Sequence, residues 1–494
     1  MVARPARDAL TVALVAATVG GFRSGRPSFW YDEAVTIGAT TRSWPDTWRF
    51  LQVQDAVHAP YYLFMHVWFR LFGVSEISAR LPSVIAVGLA AGGVVLLGNR
   101  LADRRVGIYA GLVCAIVPRL TWAAVEARGY AGYAAAAVWL TQLFLVALQR
   151  RRRAWWIGYA VAVAATILVF APMGLLVAGH GATVAWQRSP AWRSWLMSAV
   201  AGGALASPLL WVLAGQRGQA EWIPPLDRHV VRTVTEYQWF VGAPAFGIGC
   251  LIVVLIAAVR FRAELVRVAA VAVPWAVVPP AGLIVASLLA EPIYLDRYVT
   301  FTAPAVALLV GAGLAGLPAR EWLSIGVLTA LALATLPGYL AQRGPWAKPS
   351  GMDYSAVADY LAGNAHPGDC VVFAQHVSWS PTSARAAVVA RPDAVVGLRQ
   401  PGAGRSAGPY GWLWDEERPL AQTSPAGCPT LWFVTDAERA APVTIRHTSN
   451  EVWQLPAYSF RSSADYSLLV GQGFVVTDQH QLHMSQVVRL RPDR

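Results

Sequence analysis

Residues 9–33 read ALTVALVAATVGGFRSGRPSFWYDE, and this stretch decides the fold. Its first part, Ala9–Phe22, is an uncharged apolar run of the kind that forms a helix inside a bilayer. No clean small-residue cleavage site follows, so we expect an uncleaved first membrane span rather than a signal peptide. Its last part, Phe29–Glu33, places three aromatic residues and two adjacent carboxylates at the membrane surface. Acidic residues also favour the start of a helix, but ionisable groups beside a membrane more often indicate function.

The composition of the whole chain agrees with a membrane protein. Of its 494 residues, 56% are hydrophobic and 14% are charged, against about 25% charged in an average soluble domain. A wholly soluble protein is therefore excluded, and 22 Trp, 16 Tyr and 16 Phe exclude a disordered one. The net charge of +12 comes from arginine, because Lys348 is the only lysine. The arginines lie between apolar runs, which argues against a nucleic-acid-binding face.

Eleven apolar runs predict about eleven transmembrane helices, because about 20 apolar residues cross the hydrocarbon core. The expected fold is a polytopic α-helical membrane protein. The runs are Ala9–Phe22, Leu81–Leu97, Val106–Val117, Ala131–Leu148, Trp155–Phe170, Met173–Trp186, Trp195–Ala214, Phe240–Val259, Val268–Leu289, Thr300–Leu317 and Trp322–Leu340.

Arginines in alternate connections orient these spans. With eleven spans and a cytoplasmic N-terminus, all of these arginines lie on the cytoplasmic side, as the positive-inside rule requires. They are Arg4, Arg7, Arg100, Arg104, Arg105, Arg150–Arg153, Arg188, Arg193, Arg260, Arg262, Arg267 and Arg320. The pattern predicts a multi-pass protein of the plasma membrane. It divides the chain into a membrane domain, residues 1–341, and an extracytoplasmic α/β domain, residues 342–494. The outer loop 23–80 of the membrane domain contains the acidic pair, and we expect it to carry the active site.

The first outer loop contains two further predicted helices. Ser43, with an acidic residue three positions later, is typical of a helix cap, and the helix should run to about Gln54. Leu63–Phe72 is aromatic but too short to span, which is typical of a helix lying in the headgroup plane. Between them, His58 lacks a second histidine at a metal-ligand spacing. A hydrogen-bonding role is therefore favoured over metal binding.

These residues carry a family resemblance. The acidic pair after the first span, Asp55-x-x-His58-x-Pro60-Tyr61-Tyr62, residues 71–76 (LFGVSE) and Arg80-Leu81-Pro82-Ser83 resemble the GT-C glycosyltransferase superfamily. The resemblance is to the branch of protein O-mannosyltransferases and lipid A aminoarabinose transferases. Glu126–Tyr130 and Arg297-Tyr298 resemble two later motifs of that branch. The pattern departs at Ala59, where the family has a proline. An alanine- and arginine-rich composition fits an actinobacterial member.

The resemblance implies transfer of a sugar, mannose or arabinose, from a polyprenyl-phosphate donor, with inversion at the sugar carbon. The acceptor would be a glycan, a lipid or a protein on the extracytoplasmic face. A carboxylate at the membrane boundary suits a general base; we assign this role to Asp32, with Glu33 orienting Asp32 or the acceptor. The implied partners are the lipid-linked donor, membrane lipids and the acceptor, with no nucleic acid.

The departing phosphate needs positive partners where charge develops, and arginine offers it two parallel donors. Arg128 and Arg297 are the candidates, with Tyr130 and Tyr298 as further donors; the alternative is that these arginines reach to lipid headgroups. Acceptor-binding or supporting roles fall to Asp55, His58, Tyr61, Arg80 and Glu126. No second acidic cluster accompanies the motif, so we expect no metal and no required cofactor. A divalent metal held by Asp32 and Asp55 is the alternative. Trp222 is expected as an interface anchor.

From about Gln342 the sequence changes to short apolar runs among polar residues. Helices are predicted at Asp353–Leu361, capped by Asp353, and at Ser463–Gly471. Strands are predicted at Cys370–Phe373, Ala394–Leu398, Leu431–Thr435 and Gln486–Leu490, which suggests a largely parallel sheet. Residues 479–484 are polar and suit a loop.

Cys370 and Cys428 each precede a predicted strand of this domain. If the two strands are parallel neighbours, their sulfurs meet at one edge, and disulfides persist outside the cytoplasm. The sequence therefore predicts a Cys370–Cys428 disulfide. Cys114 and Cys250 lie within spans and should be free.

Two other classes of function compete. A transporter or flippase of lipid-linked glycans needs ionisable groups and broken helices near the midplane, whereas the predicted spans are nearly free of charge. A receptor with an outer binding module gives no reason for the acidic pair at residues 32 and 33. A glycosyltransferase therefore explains more of the sequence.

Overall fold

A computed structural model describes residues 4–260, 262–317, 321–446 and 452–493. Two compact units divide the chain. The first, the membrane unit, comprises residues 1–24, 55–61 and 80–342. The second, the outer unit, comprises residues 25–54, 62–79 and 343–494. Arg320, one of the arginines that the sequence places on the cytoplasmic side, lies outside the described residues.

The helices and strands follow one another in a mostly helical chain that ends in short strands. The helices are α1 (Arg4–Gly21), α2 (Tyr31–Thr40), α3 (Trp44–Val53), α4 (Ala59–Phe72), α5 (Glu76–Leu101), α6 (Arg104–Ile116), α7 (Pro118–Ala123), α8 (Tyr130–Arg150), α9 (Arg153–Val169), α10 (Gly174–Trp186), α11 (Trp192–Gly215), α12 (Val230–Arg232), α13 (Pro244–Arg260), α14 (Arg262–Leu289), α15 (Ala303–Ala315), α16 (Glu321–Ala341), α17 (Tyr354–Asn364), α18 (Ala386–Val389) and α19 (Ala464–Gly471). The strands are β1 (Cys370–Phe373), β2 (Leu431–Asp436), β3 (Val443–Arg446), β4 (Val452–Leu455), β5 (Phe474–Gln481) and β6 (Ser485–Pro492).

Each of the eleven predicted apolar runs overlaps one α-helix. Within the described part of the chain, six helical segments are long and apolar enough to cross a membrane. They are Glu76–Leu101, Tyr130–Arg150, Trp192–Gly215, Leu265–Leu289, Asp296–Ala315 and Glu321–Ala341. The other runs lie on helices of 13 to 18 residues, such as α6 and α1. The chain is thus a multi-pass membrane protein. Because several apolar helices are shorter than a bilayer is thick, helix length alone does not give the number of transmembrane helices.

Small residues let the helices of the membrane unit approach closely. A Cβ atom on Gly311 of α15 would lie 2.4 Å from the backbone of Ala110 of α6, so only glycine fits there. Such contacts are typical of helix packing in lipid, where van der Waals fit replaces the hydrophobic effect. At the periphery, Trp211 of α11 is 83% exposed and Leu289 of α14 is 82% exposed. Apolar side chains exposed to this degree suit a lipid-facing surface.

The outer unit is built from three separate stretches of the chain. Residues 25–54 and 62–79 belong to the same compact unit as residues 343–494, and not to the membrane domain. Hydrogen bonds explain this: the backbone N–H of Ser28 donates to the carbonyl of Pro345 at 2.9 Å, and Arg42 donates to the carbonyls of Trp412 and Leu413. Most of the outer loop therefore folds with the C-terminal segment, which is distant in sequence.

The helices expected in the first outer loop are present. Ser43 caps α3, because its side chain accepts a hydrogen bond from the backbone N–H of Asp46. The second helix, α4, begins at Ala59 and ends at Phe72. It exposes Phe64, Leu71 and Phe72, an apolar surface of the kind that lies at a membrane interface.

The main sheet is mixed, whereas the sequence predicted a largely parallel one. Its strand order is β1-β2-β6-β5, with β1 parallel to β2 and the other pairs antiparallel. The sheet is mixed because β6 pairs antiparallel with both β2 and β5. Of the polar loop expected at residues 479–484, residues 479–481 belong to β5 and residues 482–484 connect β5 to β6. A second hairpin, β3 and β4, was also missed.

Two local predictions in the outer unit are wrong. Residues 394–398 form no strand, because Pro392–Val395 is a 3-10 turn. Asp353 precedes α17 but does not cap it. Its buried carboxylate instead accepts hydrogen bonds from the backbone N–H groups of Met484 and Ser485 and from the Ser485 hydroxyl. It therefore ties α17 to β6.

A disulfide joins Cys370 and Cys428, with the two Cα atoms 5.7 Å apart. Cys370 begins β1, and Cys428 lies just before the parallel strand β2. Cys114 and Cys250 are free and buried.

Candidate functional site

The candidate residues divide between the two units. The membrane unit holds the predicted phosphate-binding and most supporting residues, which are Asp55, His58, Tyr61, Arg80, Glu126, Arg128, Tyr130, Arg297 and Tyr298. The outer unit holds Asp32 and Glu33, together with the disulfide.

His58 and Arg128 form the centre of the site in the membrane unit. Nε2 of His58 lies 3.3 Å from Nη2 of Arg128, and Nδ1 lies 3.2 Å from the hydroxyl of Tyr133. His58 is 5% exposed and Arg128 is 8% exposed. Burial, and secondarily the Arg128 guanidinium, hold the pKa of His58 well below its ordinary value. The imidazole is therefore neutral at physiological pH, so it has the free nitrogen lone pair needed to accept from an arginine.

The motif at residues 126–130 is a buried turn between α7 and α8. The hydroxyl of Ser83 donates to the carbonyl of Glu126 at 2.6 Å and lies 3.4 Å from that of Arg128. Glu126 is wholly buried, and Tyr130 is 1% exposed at the first position of α8. A Cβ atom at Gly129 would lie 2.4 Å from the ring of Tyr133. Glycine at 129 therefore lets Tyr133 reach His58.

Phe170 connects this turn with the Arg297-Tyr298 motif. Its ring stacks on Tyr133 with centroids 4.4 Å apart and meets the edge of Tyr298 at 5.8 Å. It also lies parallel to the His58 ring at 6.3 Å. The two motifs that were predicted to bind the donor phosphate thus contact one aromatic cluster.

Arg297 is held from both ends. Its backbone N–H donates to Oδ1 of Asp296 at 2.8 Å, and its guanidinium lies 5.4 Å from the ring centroid of Trp222. At this distance the cation and the aromatic face attract each other. Trp222, expected as an interface anchor, is 55% exposed. It also contacts Arg297, a candidate for binding the phosphate. Arg297 itself is only 9% exposed.

Asp296 is in turn paired with Arg119, a residue that the sequence analysis did not single out. The Arg119 guanidinium bonds the Asp296 carboxylate and also donates to the carbonyls of Tyr237 and Gln238, at 2.6 and 2.8 Å. Both side chains of the pair are more than nine-tenths buried. No local sequence signal marks this pair, because 177 residues separate its members.

The other supporting residues lie near these motifs along the chain. Asp55 has a positive φ of 57°, and its backbone N–H donates to the side chain of Gln219 at 2.8 Å. Tyr61, in the first turn of α4, is half-buried. Arg80 is wholly buried and donates to the carbonyl of Ser24 at 2.8 Å. Burial of Arg80, like that of the two phosphate candidates, disfavours the alternative that these arginines extend to lipid headgroups.

In the outer unit, Asp32 and Glu33 form the first turn of α2. Asp32 is partly exposed, whereas Glu33 is wholly buried. The Glu33 carboxylate lies 3.5 Å from Nζ of Lys348, whose side chain is 2% exposed. Glu33 therefore faces the interior of its unit, and Asp32 is the more accessible carboxylate. In the sequence, Lys348 was conspicuous only because it is the single lysine of the chain.

The described residues contain no group of three or more His, Cys, Asp or Glu arranged to hold a metal ion. The polar groups described in the membrane unit include the buried cations Arg128 and Arg297, the neutral His58 and several tyrosines, together with the carboxylates of Asp55, Glu126 and Asp296.

Comparisons with known proteins agree with this chemistry. Residues 57–213 match the family model described as dolichyl-phosphate-mannose-protein mannosyltransferase. The matched stretch excludes the acidic pair and Arg297-Tyr298. It contains the supporting and phosphate-binding candidates His58, Tyr61, Arg80, Glu126, Arg128 and Tyr130. No curated protein sequence matches the chain.

The fold is similar to that of ArnT from Cupriavidus metallidurans in its complex with undecaprenyl phosphate. The TM-score is 0.58 at 14% sequence identity, and the alignment covers 97% of each chain. The apo form of that protein gives 0.59. The arabinofuranosyltransferase AftD from Mycobacteria gives 0.50 at 16% identity, over 99% of this chain and 40% of AftD. At such low identity these similarities establish the fold.

Proposed function

We propose that this chain is a GT-C glycosyltransferase that transfers a sugar from a polyprenyl-phosphate donor; the fold and the family match over residues 57–213 support this. Mannose and arabinose are the sugars that fit the resemblances best, since the matched family is named for mannose and AftD for arabinofuranose. The observation that carries the proposal is the buried cluster of Arg128 and His58, joined to Tyr298 through Phe170.

Arg128 and Arg297 would bind the donor phosphate. Buried guanidinium groups are costly to desolvate, so they are kept where they meet an anion. An arginine can donate two parallel hydrogen bonds to phosphate oxygens, and this attraction grows as the leaving phosphate gains charge. ArnT, which has the same fold, was solved with undecaprenyl phosphate bound, which supports a lipid phosphate as the ligand.

Asp32 would be the general base. An acceptor hydroxyl attacks the sugar carbon from the face opposite the phosphate, and its proton passes to the Asp32 carboxylate. The bond between the sugar carbon and the phosphate oxygen breaks, and the electron pair leaves with the polyprenyl phosphate. One displacement inverts the configuration at the sugar carbon. Partial exposure of Asp32 supports this assignment, because a base must reach its substrate.

We propose that the reaction proceeds without a metal ion, with the arginines supplying the positive charge. The alternative, a divalent cation held by Asp32 and Asp55, predicts that EDTA abolishes transfer and that Mg²⁺ or Mn²⁺ restores it. The site would face the extracytoplasmic side of the plasma membrane, with a cytoplasmic N-terminus. Proteolysis of the C-terminal segment in intact cells tests this orientation, and protection of that segment contradicts it.

The decisive experiment uses the full chain in liposomes with polyprenyl-phosphate mannose and arabinose donors. Asp32→Asn should reduce sugar transfer at least about 100-fold, consistent with removal of a general base. Arg297→Ala should raise the donor concentration needed for half-maximal rate.

Asp393→Asn and Arg228→Ala, both exposed, are matched controls. Near wild-type transfer by Asp32→Asn contradicts the mechanism. Donor movement across the bilayer without sugar transfer would indicate a flippase.

A further inference from the structure

Glu33 is paired with the only lysine of the chain. Nζ of Lys348 lies 3.5 Å from Oε1 of Glu33, and the two side chains are 2% and 0% exposed. Burial of two opposite charges costs desolvation energy that packing alone does not require. Apolar residues of similar size would fill the same space at lower cost. The pair therefore calls for an explanation beyond stability.

The backbone around both residues is fixed by several contacts. The N–H of Phe29 donates to the hydroxyl of Ser355 at 2.9 Å, and that of Tyr31 lies 3.4 Å from the sulfur of Met352. On the lysine side, Ser350 adopts a positive φ of 59°. Such a conformation is costly for a residue other than glycine and persists where the surroundings enforce it. The turn that presents Lys348 is thus tightly determined.

Helix geometry turns this pair into a constraint on Asp32. Successive residues of an α-helix point about 100° apart around the axis. When Lys348 holds Glu33 toward the interior of the outer unit, Asp32 is directed to a different side of α2, about 100° around the helix axis. This agrees with the burial of Glu33 and the partial exposure of Asp32.

Charge adds a second constraint. Two neighbouring carboxylates disfavour each other's ionisation, whereas a nearby cation favours it. Lys348 offsets the charge of Glu33 next to Asp32. On the facing element, Tyr354 at the start of α17 interacts electrostatically with Tyr31, Asp32 and Asp353. Asp353 is occupied by its hydrogen bonds to β6.

We propose that Lys348 is a positioning residue for the general base: its ion pair with Glu33 sets the rotation of the first turn of α2 and offsets the negative charge next to Asp32. This inference rests on the proposed role of Asp32. It assigns to the C-terminal segment, which showed no catalytic signature of its own, a contribution to the reaction.

The test compares Lys348→Met, Lys348→Arg, Glu33→Gln and the double variant Lys348→Met/Glu33→Gln, with Asp393→Asn as the control. The readouts are kcat, the acceptor KM and the acid limb of the pH–rate profile. Lys348→Met should lower kcat at least 10-fold and move the acid limb to higher pH, by about one unit. Glu33→Gln should move it to lower pH, and the double variant should return it toward the wild-type position. Lys348→Arg should keep most of kcat.

A purely structural pair gives a different result. It predicts lower thermal stability with an unchanged pH profile, or shifts of the acid limb in the same direction for both single variants, and either outcome overturns the proposal. If Lys348→Met does not fold, Glu33→Gln and the double variant still show in which direction the acid limb of the pH–rate profile moves. Loss of activity in Asp32→Asn with a wild-type profile in Lys348→Met refutes the role of Lys348 alone. Activity in Asp32→Asn refutes the proposed base as well.

Discussion

The contact between Nη2 of Arg128 and Nε2 of His58, at 3.3 Å, fixes the tautomer of the imidazole. A guanidinium can only donate hydrogen bonds, so Nε2 must be the acceptor. The proton of the neutral ring then lies on Nδ1, which donates to the hydroxyl of Tyr133 at 3.2 Å. Both ring nitrogens of His58 are thus engaged, one by Arg128 and the other by Tyr133.

Replacing His58 should weaken donor binding through Arg128. His58→Leu removes the acceptor of a hydrogen bond from a charged group, which is worth about 1.5–3 kcal/mol, or about 10- to 100-fold in donor KM. We expect a smaller change in kcat, because the chemistry at Asp32 is untouched. Steady-state kinetics with varied donor measure this. His229→Leu, at a half-exposed histidine of the same unit, is the control, and an equal effect of both variants would argue against the supporting role.

The stability of the protein should fall as the pH falls below about 6.5, the ordinary pKa of histidine. Burial lowers the pKa of His58 in the folded state. Below about pH 6.5, His58 is therefore protonated in the unfolded chain while it stays neutral in the folded chain. Stability is then fully present above about pH 6.5 and is lost at up to about 1.4 kcal/mol per pH unit below it. Thermal unfolding in detergent between pH 7.5 and 5 measures this slope. His58→Gln should flatten it; an unchanged slope would assign the effect to other groups.

The disulfide should stabilise the outer unit. Cys370 and Cys428 are 58 residues apart, and closing a loop of this size typically contributes about 2–4 kcal/mol. Cys370→Ser/Cys428→Ser should therefore unfold at a lower temperature, and a membrane-permeant reductant should lower the wild-type midpoint to the same value. The reductant should not affect the double variant. Equal midpoints for oxidised and reduced wild type would contradict a stabilising role.

Local patterns in the sequence were sufficient for part of this structure. Apolar runs of helical length predicted each of the six described helical segments that are long enough to cross a membrane, because a helix in lipid satisfies its own backbone hydrogen bonds. The cap at Ser43 was predicted correctly because its signal spans four residues. The mixed sheet was missed because the exposed strand β5 contains Gln479, His480 and Gln481, whose polarity resembles that of a loop.

The candidate site depended on contacts that local patterns do not encode. Lys348 pairs with Glu33 across more than three hundred residues of sequence, and Phe170 joins two motifs without belonging to either. The motifs supplied the reactive residue types, since arginine and aspartate in nearly uncharged surroundings are conspicuous. Which carboxylate is exposed and which arginine is supported follow only from the three-dimensional packing.

The buried ion pair of Arg119 and Asp296 should position Arg297, because Asp296 also accepts a hydrogen bond from the backbone N–H of Arg297. Arg119→Met leaves the Asp296 carboxylate without its cation and the carbonyls of Tyr237 and Gln238 without a donor. Loss of one partner from a buried pair costs about 3–5 kcal/mol, so the midpoint of thermal unfolding should fall by several degrees.

Asp296→Asn keeps an oxygen that can accept from the backbone N–H of Arg297. It should therefore destabilise the protein similarly to Arg119→Met while raising the donor KM less. Arg228→Met, at an exposed arginine of the same unit, should change neither quantity. If Arg119→Met retains both the wild-type midpoint and the wild-type donor KM, the pair does not position Arg297, and the order of the phosphate site must come from Trp222 and the neighbouring turn.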